Sequence, residues 1–232
     1  MVVGFVAGAT GFTGKALVAA LAQGGHAAVA HVRPDSRDLA HWQEYFGALG
    51  AQVDTSPWQA EALAETLKNR RVTHVFCCVG TTRARMKAQG AAQNSYEAVD
   101  YGLPKMLAEA AAKAGCVTRY VYLSSLGAGP GAKGAYLQWR WRAEEAVRGA
   151  GVAWTVARPS FITGQRDQER TSEAVAAKIA DGVLGAIGAL GATTVRDRYR
   201  STNDARLARA LLRIGLDPAF ANQVVLSDEL QR

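Results

Sequence analysis

The sequence predicts an α/β fold: a doubly wound parallel sheet with helices on both faces, in a single domain. Three observations predict it. Short apolar runs rich in valine and aromatic residues alternate with longer stretches whose apolar positions recur at helical spacing. The first of these runs opens onto three evenly spaced glycines in VAGATGFTGKALV. No Pro/Ser-rich bridge, repeat or low-complexity tract divides the 232 residues. Strands that alternate with helices pair in parallel because a parallel neighbour needs a crossover connection.

The elements follow in order. VVGFVA, Val2 to Ala7, reads as the first strand, and KALVAALAQGG places Leu17, Val18 and Leu21 on one helical stripe. AAVAHV, Ala27 to Val32, is the second strand, followed by the helix SRDLAHWQEYFGALG with Ser36 as its expected cap. AQVDT is a short third strand, PWQAEALAETLKNR a third helix, and VTHVFCCVG a buried fourth strand. SYEAVDYGLPKMLAEAAAKAG reads as one long helix bent by its internal Pro104. VTRYVYLSS is the fifth strand, AYLQWRWRAEEAVRGAG a helix, VAWTVARP the sixth strand and QVVLS a seventh. Before that last strand, TSEAVAAKIADGVLGAIGAL carries helical stretches interrupted by glycine, and VRDRYRSTNDARLARALLRIG ends in a long amphipathic helix.

Composition narrows the function classes. The formal charge of +7 would suit an acidic ligand, but the arginines are dispersed and sit beside acids, as in QRDQER and VRDRYR. With no nucleic-acid motif present, the expectation is no nucleic-acid partner. Cys77 and Cys78 stand together in the apolar run VFCCVG, a pattern of buried strand residues and not of a metal site or disulfide framework. His26, His31, His41 and His74 show no ligand spacing, so no metal is expected. No apolar run approaches a bilayer span, and the chain enters its first strand without a basic leader, which gives the expectation of a soluble cytoplasmic protein.

Ligands of such sheets bind at the carboxyl ends of the strands. There, Gly8, Gly11 and Gly14 form G-x-x-G-x-x-G between strand and helix, a variant of the commoner G-x-G-x-x-G. Glycine admits positive φ and close approach to the main chain, and the first helical turn offers unpaired amides, a combination suited to a pyrophosphate. A tight turn without a ligand is the alternative. Arg33 closes strand two, where an arginine pairs with the extra phosphate of NADP and an acid would accept the ribose hydroxyls of NAD. NADP(H) is the expected cofactor; Asp35 or Asp38 would be the acid if the strand ends later. Lys15 adds a second charge or is an ordinary helix lysine. Val79 and Gly80 end strand four, where the backbone passes close to adenine and ribose. Ser124 and Ser125 end strand five, and Tyr136 lies on the next helix with Arg140 one turn beyond. A serine hydroxyl and a phenol can polarise a carbonyl oxygen, the phenol can protonate it as hydride arrives, and a cation at i+4 stabilises the phenolate. The alternative makes Tyr136 a packing residue and Arg140 a surface charge.

GATGFTG, the LSS after strand five, the tyrosine helix and the RP after strand six together resemble an atypical short-chain dehydrogenase/reductase of Rossmann type. FCCVGTTR, RYVYLSSLGA, AYLQWR and ARPSFITGQRDQER are similar to the human Tat-interacting protein oxidoreductase group and its bacterial relatives, and the likeness covers nearly the whole chain. The resemblance implies that Gly8, Thr10, Gly11, Phe12, Gly14 and Lys15 bind NADPH and that Arg33 holds the adenosine phosphate. It implies further that Val79 and Gly80 lie over the adenine side, that Tyr136 is the proton donor, that Pro159 through Ile162 border the nicotinamide and that Arg170 reaches the cofactor. One position departs: the superfamily pattern is Y-x-x-x-K, and here YLQWR puts Arg140 where lysine is usual. An arginine fork differs from an ammonium in reach and bond geometry. Ser125 is the first choice for the polarising hydroxyl and Ser124 the second.

The region after strand six is short for a sugar-nucleotide epimerase of this superfamily. Arg196, Arg198 and Arg200 would attract an anionic substrate or are exposed loop charges. The helices carrying DYGLPKM and YLQWRWR resemble a dimer face, so a homodimer is one expectation. Two functions follow: an NADP(H)-dependent oxidoreductase acting on a small carbonyl or hydroxyl compound, or a non-catalytic NADP(H)-binding sensor or scaffold.

Overall fold

The computed structural model of the protein describes residues 1–81, 96–160, 162–163 and 202–232. Its strands are β1 (Val3–Ala7), β2 (Ala27–His31), β3 (Gln52–Asp54), β4 (His74–Cys77), β5 (Arg119–Leu123), β6 (Trp154–Arg158), β7 (Ile162–Thr163), β8 (Thr202–Asn203) and β9 (Gln223–Leu226). Its α-helices are α1 (Phe12–Gln23), α2 (Leu39–Ala48), α3 (Ala60–Asn69), α4 (Leu103–Ala114), α5 (Ala135–Gly149), α6 (Asp204–Leu216) and α7 (Ser227–Leu230). Seven strands form one sheet in the order β3-β2-β1-β4-β5-β6-β9, and every pairing is parallel. β7 and β8 pair with each other apart from it.

Alternation along the strands divides the core in two. Phe5, Val75, Cys77, Tyr120, Tyr122 and Val156 point to the face covered by α3, α4 and α5, where Leu63, Leu107 and Val147 meet them. Val6, Phe76, Val121 and Ala157 point to the other face, under Leu17 and Leu21 of α1 and Leu207, Leu211 and Ile214 of α6. Gly215 lets α6 lie close on the sheet: a Cβ there would come within 2.7 Å of the Phe76 ring. Chain order reverses about β1 and β4, which are adjacent in the sheet, with Ala7 opposite Cys77 at their carboxyl ends. The crevice at that reversal is where doubly wound sheets take ligands.

Every expected strand is present, including the seventh, although most are trimmed at the ends. Two local expectations are corrected. The segment Tyr96–Gly102 forms a π-helical turn and α4 begins only at Leu103, so Pro104 starts a helix where a bend inside one was expected. A proline lacks the amide that an interior turn needs but fits the first turn, where that amide has no acceptor. Ser36 does not cap α2: the cap position is Asp38, without a side-chain bond, and Ser36 belongs to the turn ahead of it, accepting from Leu39 N.

Candidate functional site

The glycine turn is made of backbone. Gly8 has φ of 78°, and a Cβ on it would lie 2.8 Å from the carbonyl oxygen of Cys78 at the end of β4. A Cβ on Gly14 would fall on the Gly8 carbonyl, which also accepts Gly11 N at 2.9 Å. Glycine at 8 thus lets β1 and β4 end side by side, and glycine at 14 lets α1 start directly on the turn. Gly11 caps α1 with no side-chain bond, there is no acid in the first turn, and the first bond back to the cap is Lys15 N to Gly11 O. The amides of Phe12, Thr13 and Gly14 therefore have no acceptor within the helix, and the positive end of its dipole faces the crevice. A phosphate fits that set of donors.

Next to it, the ends of β4 and β5 are tied by side chains. Arg140, 6% exposed, sends Nη1 to Val79 O at 3.1 Å, Leu123 O at 2.9 Å and the Tyr122 hydroxyl at 3.0 Å. Its Nη2 pairs with Asp100 Oδ1 at 3.1 Å. Asp100 is fully buried and also accepts Thr81 N, while its own carbonyl accepts the Tyr122 hydroxyl. Burial pushes the Asp100 carboxyl up to about 6, against the pull of Arg140 and the Thr81 amide. Burial also works against the charge on Arg140, but Tyr122, Tyr136 and Asp100 outweigh it and hold the guanidinium charged. A Cβ on Gly80 would fall on Arg140 Nη2 and 3.2 Å from Asp100 Oδ1. The absent side chain at 80 makes room for this ion pair.

A second buried carboxylate ties β5 to β6. Glu144 is completely buried and receives Ser124 Oγ at 2.6 Å, a fork from Arg158 at 2.8 and 2.6 Å, and Arg148 at 2.7 Å. Ser124 is therefore committed to Glu144. Ser125 is not: it is half-buried, and its Oγ makes only a long contact of 3.4 Å with Leu126 O. Tyr136, half-buried on the first turn of α5, stacks obliquely on Tyr96 with centroids 5.6 Å apart and presents its ring to the Arg140 guanidinium, 5.3 Å from the centroid. Its hydroxyl has no hydrogen-bond partner among the described residues.

Residues 8–190 match the family model described as NAD(P)H-binding. The chain belongs to the NAD(P)H-binding family. It is 34% identical over 166 residues to the protein fmp52, mitochondrial, of Emericella nidulans, a match covering 71% of this chain and 65% of that protein. The chain thus spans just under two thirds of that relative's length. In fold it is similar to a Bacillus halodurans protein provisionally assigned as an NAD-dependent epimerase/dehydratase (TM-score 0.68, 14% identity, covering 100% of this chain and 99% of that one). It is also similar to ChuY, an anaerobillin reductase from Escherichia coli O157:H7 (TM-score 0.63, 18% identity, covering 96% and 94%).

For an NAD(P)H-binding protein the remaining predicted residues fall as follows. Thr10 and Phe12 flank Gly11 and are half-buried. Lys15 extends over the Trp42 ring of α2, 5.7 Å from its centroid. Arg33 is exposed beyond the end of β2, 3.7 Å from Asp35, so the cation and the competing acid share one rim. Pro159 is buried and its carbonyl accepts Leu126 N at 2.9 Å, which binds the end of β6 to the turn after β5. Ile162 lies in β7. Arg170, Arg196, Arg198 and Arg200 lie outside the described residues. Among the described residues no three His, Cys, Asp or Glu side chains gather as a metal site, and no helix is long and apolar enough to cross a membrane.

Asp100, Glu144 and Arg158 are absent from the sequence-based site. A signal for two of the partners exists: Arg140 and Glu144 lie on the same helical stripe as Ala143 and Val147, so two charges occupy the face that must meet the sheet. Charges on a buried stripe need buried partners. Which residues those are, 40 positions upstream in the case of Asp100, depends on the tertiary fold.

Proposed function

We propose that the chain is an NADP(H)-dependent oxidoreductase acting on a small carbonyl or hydroxyl compound. The observation that carries this reading is the glycine turn of Gly8, Gly11 and Gly14, with the unspent amides of α1 above it. Those amides would hold the pyrophosphate, with Arg33 and Lys15 near the adenosine phosphate and the turn Val79–Gly80 beside the adenine side. The bound dinucleotide would supply or accept the hydride. Ser125 Oγ donates a hydrogen bond to the substrate carbonyl oxygen, and Tyr136 Oη gives that oxygen a proton as its carbon becomes tetrahedral; in the reverse direction the phenolate takes the proton back. These two hydroxyls suit the task because neither is consumed by a strong bond within the described residues, unlike Ser124. Arg140 contributes charge at the face of the Tyr136 ring.

The test is titration of the protein with NADPH and NADH at fixed salt, followed by cofactor fluorescence, and then a panel of aldehydes, ketones and quinones. Tight NADPH binding and weaker NADH binding are expected, with the preference reduced about tenfold in Arg33→Ser. Tyr136→Phe should abolish turnover and leave NADPH affinity intact. Failure to bind either cofactor removes the reading; full activity in Tyr136→Phe removes the mechanism.

One observation favours a second reading, a non-catalytic NADP(H)-binding sensor or scaffold: the arginine in place of the usual lysine is spent in a buried ion pair. Under it NADPH binds, no carbonyl is reduced, and the reduced and oxidised cofactors differ in their effect on a protein partner. The cytoplasmic expectation and the mitochondrial name of the relative are separated by fractionating cells that express the tagged chain.

A further inference from the structure

We propose that Asp100 is a positioning residue of the cofactor cleft: it holds Arg140 across the carboxyl ends of β4 and β5 and thereby fixes the Val79–Thr81 turn. The proposal rests on the NADP(H) reading of that cleft and assigns the lysine-equivalent side chain a different task from direct contact with ribose.

Three independent features support it. The first is the distribution of the guanidinium donors. Nη1 is shared among two strand-end carbonyls and the Tyr122 hydroxyl, and Nη2 goes to Asp100, so both terminal nitrogens are occupied on the protein side of the cleft. A lysine offers one nitrogen, which cannot stand at the strand-end carbonyls and at Asp100 as the two separate terminal nitrogens do. The second is Gly80, whose hydrogen leaves the space that Arg140 and Asp100 fill, so turn and ion pair are fitted to each other. The third is the bond from Thr81 N, at 3.3 Å from each Asp100 oxygen, which couples the carboxylate directly to the main chain after β4. Without Asp100 the guanidinium would be a buried charge with no counter-ion among the described residues, and its hold on the peptides after β4 and β5 would weaken.

The carboxylate is the form that binds both partners. The charged and titratable groups facing it are Arg140 from α5, Tyr122 from β5 and Cys77 from β4; Tyr136 of α5 meets Arg140, and on the helix that follows Lys105 lies over the Tyr101 ring. Of these, Asp100 titrates nearest neutrality, at about 6. As pH falls through that value Asp100 gains a proton, the ion pair weakens, and cofactor affinity should fall with it.

The experiment is calorimetric titration with NADP⁺ between pH 5.5 and 8 of the wild type, Asp100→Asn and Arg140→Lys. In the wild type, affinity should drop as pH falls through about 6. Asp100→Asn should bind about tenfold more weakly at pH 7.5 and lose that part of the pH dependence. The titration of the cofactor's own 2′-phosphate is common to both proteins and cancels in the comparison. Arg140→Lys should also weaken binding; a lysine that equals or improves on arginine would mean that the position serves the ribose directly, and would overturn the proposal. Should Asp100→Asn fail to fold, Arg140→Lys decides. A wild type that does not bind NADP⁺ removes the reading of the site and this proposal together. A wild type that binds, with Asp100→Asn equal to it at every pH, removes the proposal alone.

Discussion

The glycine turn after β1 and the strand ends of β4 and β5 are neighbours in the sheet, yet they are made in opposite ways. In the first, side chains are removed: three glycines bring carbonyls and helix start so close together that a single methyl group would collide with main chain. In the second, side chains are all but saturated: Arg140, through both terminal nitrogens, and Asp100, Tyr122, Ser124 and Glu144 are engaged in buried bonds, with Arg140 Nε alone of this set left without a partner among the described residues. The difference teaches where binding capacity can reside. Donors that have no internal acceptor are available to a ligand; donors already answered by the protein hold the shape against which the ligand is placed.

The largest expected effect lies on the saturated side. Glu144→Ala leaves Arg158 and Arg148 without their carboxylate and Ser124 without its acceptor, a loss of about 3–5 kcal/mol in urea unfolding. Glu144→Gln, which keeps the shape, should lose less. A loss under about 1 kcal/mol would place the pair in the class of surface ion pairs and undo the contrast.

On the open side, Gly14→Ala sets a methyl on the Gly8 carbonyl and should lower NADPH affinity about thirtyfold, or roughly 2 kcal/mol, with helix content by circular dichroism retained. An affinity like that of the wild type would mean that the turn relaxes freely.

The smallest effect concerns the far end of the sheet. Burial holds His74, at the start of β4, down to about 4, helped by Arg119 and His26, and burial likewise lowers His31 despite the opposing Ser56 carbonyl and Asp54. The unfolded chain takes up these protons first, so stability is lost as pH falls from the ordinary histidine value of 6.5 towards about 4. Asp100, raised to about 6, works in the opposite direction over part of that window. The histidine contribution is therefore read as a difference: His74→Gln should lose less melting temperature between pH 7 and pH 5 than the wild type does. An equal loss would show that His74 is not held neutral.

The two regions also differ in how far they could be read from sequence. The turn is written within seven consecutive residues, Gly8 to Gly14, because backbone geometry is local and glycine is its marker. The alternation of apolar runs likewise revealed all seven strands of the sheet, since period-two and helical spacing report burial directly. The braces are written in pairs such as Asp100 with Arg140, or Ser124 and Arg158 with Glu144, which meet only after strands are ordered side by side. Tyr136 and Ser125 stood out by residue type, but that Ser124 was committed elsewhere was not legible. The π-helical turn before Pro104 was missed because its periodicity differs too little from that of an α-helix over a single turn.

The seating of α6 bears on how the chain comes together in time. This helix, residues 204–216, closes the same face of the sheet as α1 and presses Gly215 against Phe76 of β4. During synthesis, β1, β4 and β5 emerge long before it, and Val6, Phe76 and Val121 have only part of their cover until it arrives. A nascent chain stalled before residue 204 would display an apolar sheet face, the kind of surface that chaperones hold.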